Sequence, residues 1–362
     1  MRIAVLMTGL TAYQDACFRE LRALGAELLL VHPASMSFAP FDTSAFDAGV
    51  RRIVWEESMP SAQELVPAVE SFDPDVVIMW SWDGKGYRSV MKQVKGRAHR
   101  VIFTSNFWHG SAKQWAGLVA GRRYVKPLFE TAWVPGERSE LFARRIGFTD
   151  FIRGANSADT PTFDRGPRDA VELAGRRRFL FTGRLIWHKA PTELAEAYRR
   201  YRTLVDDPWG LDVAGDGPLR TDFDGIDGVT MHGFVQPDDL ADLMQGASGF
   251  LLPSHIEWYG VVVHEAAVAG LPVICSDGVG AVPHLLQDGF NGWAFPAGDV
   301  DALVEAMVRL THVEPDRLKA MSDGSRALGS RLSPTLWAQN LHEQLESRLR
   351  RPSARPSQEV GP

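Results

Sequence analysis

Four side chains in the second half of this 362-residue chain have types and spacings that suit chemistry: Arg184, Lys189, Glu257 and Glu265. The two glutamates lie in HIEWYGVVVHEAAVAG (255–270), eight positions apart in a mostly apolar stretch. In an ideal helix eight residues turn through about 800°, which leaves the two carboxylates roughly 80° apart and off a shared face. The spacing therefore predicts a loop carrying Glu257, a hinge at Gly260, and a helix that carries Glu265 about one turn in. The free N–H groups of Gly260, Val261 and Val262 at that helix opening suit an anion. A second anion site is predicted after RRFLFTG, where GRLIWHKAPTELAEAYRRY places Gly183, Arg184 and then Lys189 at a helix start. A guanidinium and an ammonium beside a helix amino end suit a diphosphate. Carboxylates accept hydrogen bonds from hydroxyls, so two of them near a diphosphate suggest a ligand with two polyol ends. A nucleotide sugar has those parts: ribose, diphosphate and hexose.

The elements that must position these groups are legible as alternating apolar runs and amphipathic stretches. The first half predicts strands at 2–7, 27–33, 76–82, 100–106 and 131–136; the second half predicts them at 177–183, 210–217, 228–234, 249–254 and 271–277. Continuous apolar strands separated by helices indicate parallel sheets covered on both faces. Ligands in such sheets bind outside the carboxyl ends of the strands, where all four candidates fall. The expectation is an α/β protein of two Rossmann-like, doubly wound domains facing a cleft. The domains are assigned to 1–164 and 165–332, with SADTPTFDRGPRDA (157–170) as a linker. SPTLWAQNLHEQLESRLRR (333–351) predicts a helix with Leu336, Trp337, Leu341, Leu345 and Leu349 at helical spacing. The apolar-poor tail 352–362 is expected to be disordered.

Composition narrows the class. At 45% hydrophobic and 23% charged residues the chain reads as soluble and globular, and its length favours two domains. The start MRIAVLMTG is too short in apolar residues for a signal peptide, and no run of about 18 apolar residues occurs. Cys17 and Cys275 are solitary, which predicts neither a disulfide framework nor a zinc site. A cytoplasmic protein is expected. Net charge is −6, yet residues 85–153 hold 14 Lys and Arg against Glu130, Glu137, Glu140 and Asp150. That balance of +10 suggests solvated helix surface or a face meeting an anionic membrane or acceptor; no nucleic-acid motif accompanies it.

The pattern Glu257-x7-Glu265 resembles the signature of retaining glycosyltransferases of the GT-B fold, specifically the family 4 group. GRLIWHKAPTELAEAY resembles that family's phosphate-binding G-R-L-x-x-x-K element, and LDVAGDGPL its L-x-x-x-G-x-G-P strand and turn. MHGFVQPDDLADLMQGASGFLLPS, which contains Phe234, resembles the nucleotide-base segment, and PVICSDGVGAVPHLLQDGFNGWAFPAGD the stretch that closes the donor domain. The resemblance is strong over about 130–310 and weak before it. It implies that Glu265 binds ribose hydroxyls, that Arg184 and Lys189 hold the diphosphate, and that Glu257 sits at the donor sugar. Gly183, Phe234, Tyr259, Gly260 and Val261 join the donor site by the same match. His109, in NFWHGSAKQW, corresponds to a histidine that faces the sugar, and Gly9 to the first loop near diphosphate and acceptor. The carboxy-terminal helix would cross back onto the first domain. The implied reaction moves a sugar from a nucleotide diphosphate to a glycan, lipid-linked or small-molecule acceptor, with retention and with no metal or other cofactor. Two departures concern the sugar: Glu257-Trp258-Tyr259-Gly260 replaces E-G-F-G, and Gly280-Ala281-Val282-Pro283-His284 replaces G-G-x-P-E.

Competing readings are fewer. His255 and His264 flank the motif, but HEAAV lacks the second histidine of a metalloprotease helix. Asp73-Pro74-Asp75 precedes its strand, on the wrong side of the sheet for ligands, and reads as a strand-entry turn. Trp80 is expected in the core, and Trp82 and Trp108 as surfaces on which a sugar could stack. A nucleotide-sugar epimerase, a phosphorylase relative and a non-catalytic binding subunit stay open on this fold. MRIAVLMTGLTAYQD lacks G-x-G-x-x-G, which argues against a nicotinamide oxidoreductase.

Overall fold

The computed structural model describes residues 1–34, 40, 41, 46, 49–56, 58–82, 84–154 and 156–350. Its first sheet has seven parallel strands: β1 (Arg2–Leu6), β2 (Glu27–Pro33), β3 (Arg51–Trp55), β4 (Val76–Met79), β5 (His99–Phe103), β6 (Thr131–Val134) and β7 (Phe151–Arg153). They lie in the order β3-β2-β1-β4-β5-β6-β7. The second sheet has six parallel strands: β8 (Arg178–Thr182), β9 (Gly210–Ala214), β10 (Val229–Gly233), β11 (Gly249–Leu252), β12 (Val273–Ser276) and β13 (Gly292–Phe295), in the order β10-β9-β8-β11-β12-β13. Central strands such as β1, β4, β8 and β11 are apolar and buried because helices cover both faces. Each sheet reverses its order beside its first strand, so the loops after β8 and β11 diverge and open a crevice at their carboxyl ends.

Three strands lie outside the predicted set. β3 is an edge strand, RRIVW, with charged and half-exposed positions; β7 has three residues, and β13 is the edge strand GWAF. Edge strands are covered on fewer sides, so they lack the continuous apolar signal of central ones. Several strands stop two or three residues short of the predicted ends: β4 closes at Met79 and β11 at Leu252. Apolar residues beyond those points pack without joining the ladder. Trp80 stacks on Phe103 at 4.3 Å and meets Trp133 edge-on at 5.2 Å.

The stretch 157–170, expected as a linker, is packed. Phe163 lies in the core of the second domain, and the Ala158 N–H donates to His264 Nδ1 at 2.8 Å. The other His264 nitrogen meets the Gly329 carbonyl at 2.8 Å, and burial lowers that ring's pKa to about 4, so His264 is a neutral internal tie. The Asp73–Asp75 turn receives β1: the Arg2 N–H donates to Asp75 Oδ2 at 2.7 Å, and the Arg2 guanidinium meets Asp73 at 2.5 Å.

The carboxy-terminal helix spans Pro334–Leu349 and packs on the first domain. Trp337, Leu341 and Leu345 join the cluster that holds Ile3, Val5 and Phe18, while Leu336 and Leu349 face outward. Asn340 Nδ2 donates to the Arg153 carbonyl at 2.6 Å, and Arg348 pairs with Asp150 at 2.8 Å. The tail 352–362 lies outside the described residues.

Candidate functional site

A cavity of about 750 Å³ lies at the carboxyl ends of β8, β9, β10 and β11. That volume is in the range of small-molecule sites. Most of its wall belongs to the second domain; among the described residues, the first contributes Tyr13, Pro40 and Phe41. Gln236 Nε2 donates to the Pro40 carbonyl at 3.0 Å and Phe41 meets Phe234 edge-on at 5.5 Å, so Pro40 and Phe41 of the first domain lie over the end of β10.

The floor is backbone. A Cβ on Gly215 would overlap the carbonyl oxygen of Gly183, so the loops after β8 and β9 can touch only if position 215 is glycine. Hydrogen bonds from Gly183 to Ala214 (3.0 Å) and from Leu185 to Asp216 (2.8 Å) hold them together. From this floor the chain passes through a short 3₁₀ turn, Trp187–Lys189, into the helix Pro191–Leu204, and both Arg184 and Lys189 line the cavity. Burial, then the nearby Lys189 and Arg184 charges, hold His188 below its ordinary pKa.

The opposite wall is the loop after β11. Glu257 is pinned by backbone bonds: its N–H donates to the Gly278 carbonyl at 3.0 Å, and its carbonyl accepts from Gly280 at 2.9 Å. Gly260 turns the chain at φ 89, a left-handed conformation that glycine adopts most easily, and starts the helix Val261–Val268. The Glu257 carboxylate is paired with the Lys189 ammonium, and both side chains are mostly buried. Glu265 stands inside the helix and opens into the cavity. Burial, with a smaller contribution from Asp159, lifts its carboxyl to about 8. Burial and the two glutamates also raise the Tyr13 hydroxyl.

Of the residues singled out by sequence, the cavity gathers Gly183, Arg184, Lys189, Phe234, Glu257, Gly260, Val261 and Glu265. Three are placed elsewhere. Tyr259 is buried in the second domain's core, its ring 6.1 Å from His284 and its hydroxyl without a hydrogen-bond partner among the described residues. His109 is exposed: Gln114 Oε1 accepts from the N–H groups of His109 and Gly110, which turns Phe107 inward and the histidine outward. Gly9 is buried in the loop after β1, while Tyr13 reaches the cavity from the helix Ala12–Ala23. Sequence reasoning missed Tyr13, Phe41, His188 and the contact of Gly215 with Gly183. Only the last had a signal, the G-x-G of GDG after β9.

His255 bonds Glu193 at 2.7 Å and stacks on Trp187. Among the described residues no three His, Cys, Asp or Glu side chains converge.

Residues 176–312, from just before β8 to the end of the helix Val300–Thr311, match the family model described as Glycosyl transferases group 1. The chain is 32% identical to the O-antigen chain mannosyltransferase C of Escherichia coli, over 40% of this chain and 39% of that protein. It is 25% identical to the alpha-D-kanosaminyltransferase of Streptomyces kanamyceticus, over 59% and 58% respectively. With the sulfoquinovosyl transferase SQD2 of Arabidopsis thaliana it shares 35% over 27% of this chain and 20% of that protein. The matches thus span less than two thirds of each relative. Likeness over the whole chain comes from solved structures. Sucrose-phosphate synthase from Thermosynechococcus elongatus superposes with a TM-score of 0.73 at 18% identity, covering 96% of this chain and 100% of that one. HepE of Anabaena, in complex with UDP-glucose, gives 0.73 at 15% identity over 96% and 100%.

Proposed function

We propose, from a second domain that matches the Glycosyl transferases group 1 family model on a two-domain GT-B fold, that this chain is a retaining, metal-independent glycosyltransferase. Its donor is a nucleotide diphosphate sugar and its acceptor a hydroxyl on a glycan, a lipid-linked sugar or a small molecule; the proposed place of action is the cytoplasm. The observation that carries this is the content of one cavity: Glu257 and Glu265, the cations Arg184 and Lys189 and the amino end of a helix, at the carboxyl ends of four adjacent strands. Solved neighbours that hold UDP-glucose, or UDP with GlcNAc, support the donor class.

In this reading Glu265 accepts hydrogen bonds from the ribose hydroxyls, and Phe234 with Phe41 frames the base. Arg184, Lys189 and the N–H groups at Gly260 and Val261 face the diphosphate. As the bond from the anomeric carbon to the diphosphate oxygen breaks, negative charge grows on the departing phosphate. Fixed cations and helix dipoles stabilise such charge most in a cleft that excludes water. Lys189 carries that task while its pairing with Glu257 holds the carboxylate at the hexose. The acceptor hydroxyl bonds to the same face of the anomeric carbon that the diphosphate leaves and passes its proton to the departing phosphate oxygen, so configuration is retained.

The test is calorimetric titration of the full chain, in chelator, with UDP, GDP, ADP and TDP and their sugar conjugates, followed by product analysis. Binding of one nucleotide series without metal, and transfer to an added acceptor, is expected. No nucleotide binding, binding only after a divalent metal is restored, or release of an epimerised donor with no acceptor product would each contradict it.

A further inference from the structure

The helix Ala112–Ala120 buries none of its residues, although Ser111 caps it in the regular way. A helix facing water on this scale normally carries charges of both signs. This one, AKQWAGLVA, has a single lysine and no acid. Trp115 is 59% and Val119 72% exposed, one helical turn apart, and Tyr124 is 69% exposed in the turn that continues the helix. Lys113, Arg122 and Arg123 surround them and are exposed. Arg145 lies over the ring of Trp108 at 4.8 Å, and Trp108 meets Trp115 edge-on at 5.0 Å, which joins the helix to the helix Glu137–Ile146, where Leu141 is 60% exposed.

The four acids of the 85–153 stretch are all engaged elsewhere. Glu130 pairs with Arg100, Glu137 with His284, Glu140 with Arg144 and Arg153, and Asp150 with Arg348. Lys113, Arg122, Arg123 and Arg145 make no ion pair among the described residues, so this apolar face is bordered by unopposed positive charge.

We propose that the helix Ala112–Ala120 and the turn after it dock the first domain on an anionic lipid surface. Trp115, Val119 and Tyr124 would enter the headgroup boundary, where amphipathic rings are stable, and the four cations would meet lipid phosphates. Charge complementarity selects this occupant: an apolar face alone fits any apolar partner, but one ringed by cations with no acid fits an anionic interface. The surface also adjoins the cavity. Phe107, just before the helix, meets Trp258 of the cavity wall at 5.8 Å, so a docked molecule would present the cleft mouth to the membrane. The proposal does not depend on the transfer reaction.

Flotation of the full chain with vesicles of phosphatidylcholine, alone or mixed with phosphatidylglycerol, tests it. Binding is expected to the mixed vesicles only, and to fall at about 0.5 M salt, where exposed charges are screened over a few ångströms. Each basic residue near an anionic surface is worth roughly fivefold in partition, so Arg122→Gln with Arg123→Gln should cost about 25-fold. Trp115→Ser with Val119→Ser should also lose binding, while Lys319→Glu on the second domain should keep it. These positions are exposed, and unchanged thermal unfolding would show that the fold is retained. Absence of wild-type binding, binding equal on neutral vesicles, or binding undiminished in both double variants would overturn the proposal. So would a concentration-dependent dimer that Trp115→Ser dissolves while vesicles are ignored, which would assign the face to a second copy.

Discussion

Lys189 and Glu257 neutralise each other in the ligand-free cleft, and that pairing changes what their substitutions should do. A diphosphate must share or take over the ammonium. Lys189→Ala therefore should weaken nucleotide diphosphate binding by about 1.5–3 kcal/mol, the range for a hydrogen bond to a charged group, and leave the bare nucleoside almost unaffected. Titration with both ligands decides this; equal losses would make Lys189 a residue of the fold. Glu265 has a different signature. Its carboxyl stands near 8 in the folded chain against an ordinary value of 4.5. The folded state thus holds a proton that the unfolded chain releases earlier. Its contribution to stability is complete below about 4.5 and is lost as pH rises toward about 8. The thermal midpoint of the ligand-free protein should fall across that window, and Glu265→Gln should flatten the fall. An unchanged slope in the glutamine variant would place the pH dependence elsewhere.

Loops carry this site, and they show where sequence could and could not be read. The contact of Gly215 with Gly183 leaves no room for a side chain. Gly215→Ala should lower unfolding stability by about 2–4 kcal/mol through backbone displacement, and it should weaken nucleotide binding together with it. Stability and binding both at the wild-type level would show that the loops can part. Central strands and the helix positions of Glu265 and Lys189 were legible because burial on two faces forces continuous apolar runs. β3, β7 and β13 were not, since an edge strand may be short or half polar. Tyr259 lies away from the cavity for a local reason: the motif fixes its order in the chain, but backbone pairing of Glu257 and Tyr259 with residues 278–281 sends its ring into the core. His109 lies outside the cavity because Gln114 turns its loop. Tyr13 and Phe41 had no signal, since they reach the cavity only through the placement of one domain against the other.

At the scale of the molecule, two sheets with the same winding face each other, and the cavity between them is walled mainly by the second. Contacts across the junction include, among the described residues, polar ones at the rim: Arg138 Nη1 donates to the Asp277 carbonyl at 2.7 Å, and His284 meets Glu137 at 3.3 Å. The carboxy-terminal helix fixes the chain's end to the first domain, which forms one body with Pro334–Leu349. The central claim is that one extended donor lies along this cleft, ribose at Glu265 and hexose at Glu257. Nucleotide diphosphate affinity of Glu257→Ala and Glu265→Ala, measured in chelator after circular dichroism confirms folding, tests it most directly. Glu265→Ala should lose about 1–3 kcal/mol through unpaired hydroxyls. Glu257→Ala should bind the sugar-free nucleotide as well as wild type or better, because Lys189 is released, and should lose turnover instead. Equal loss of nucleotide in both variants would contradict the division, and the hexose could not then be placed beside Glu257.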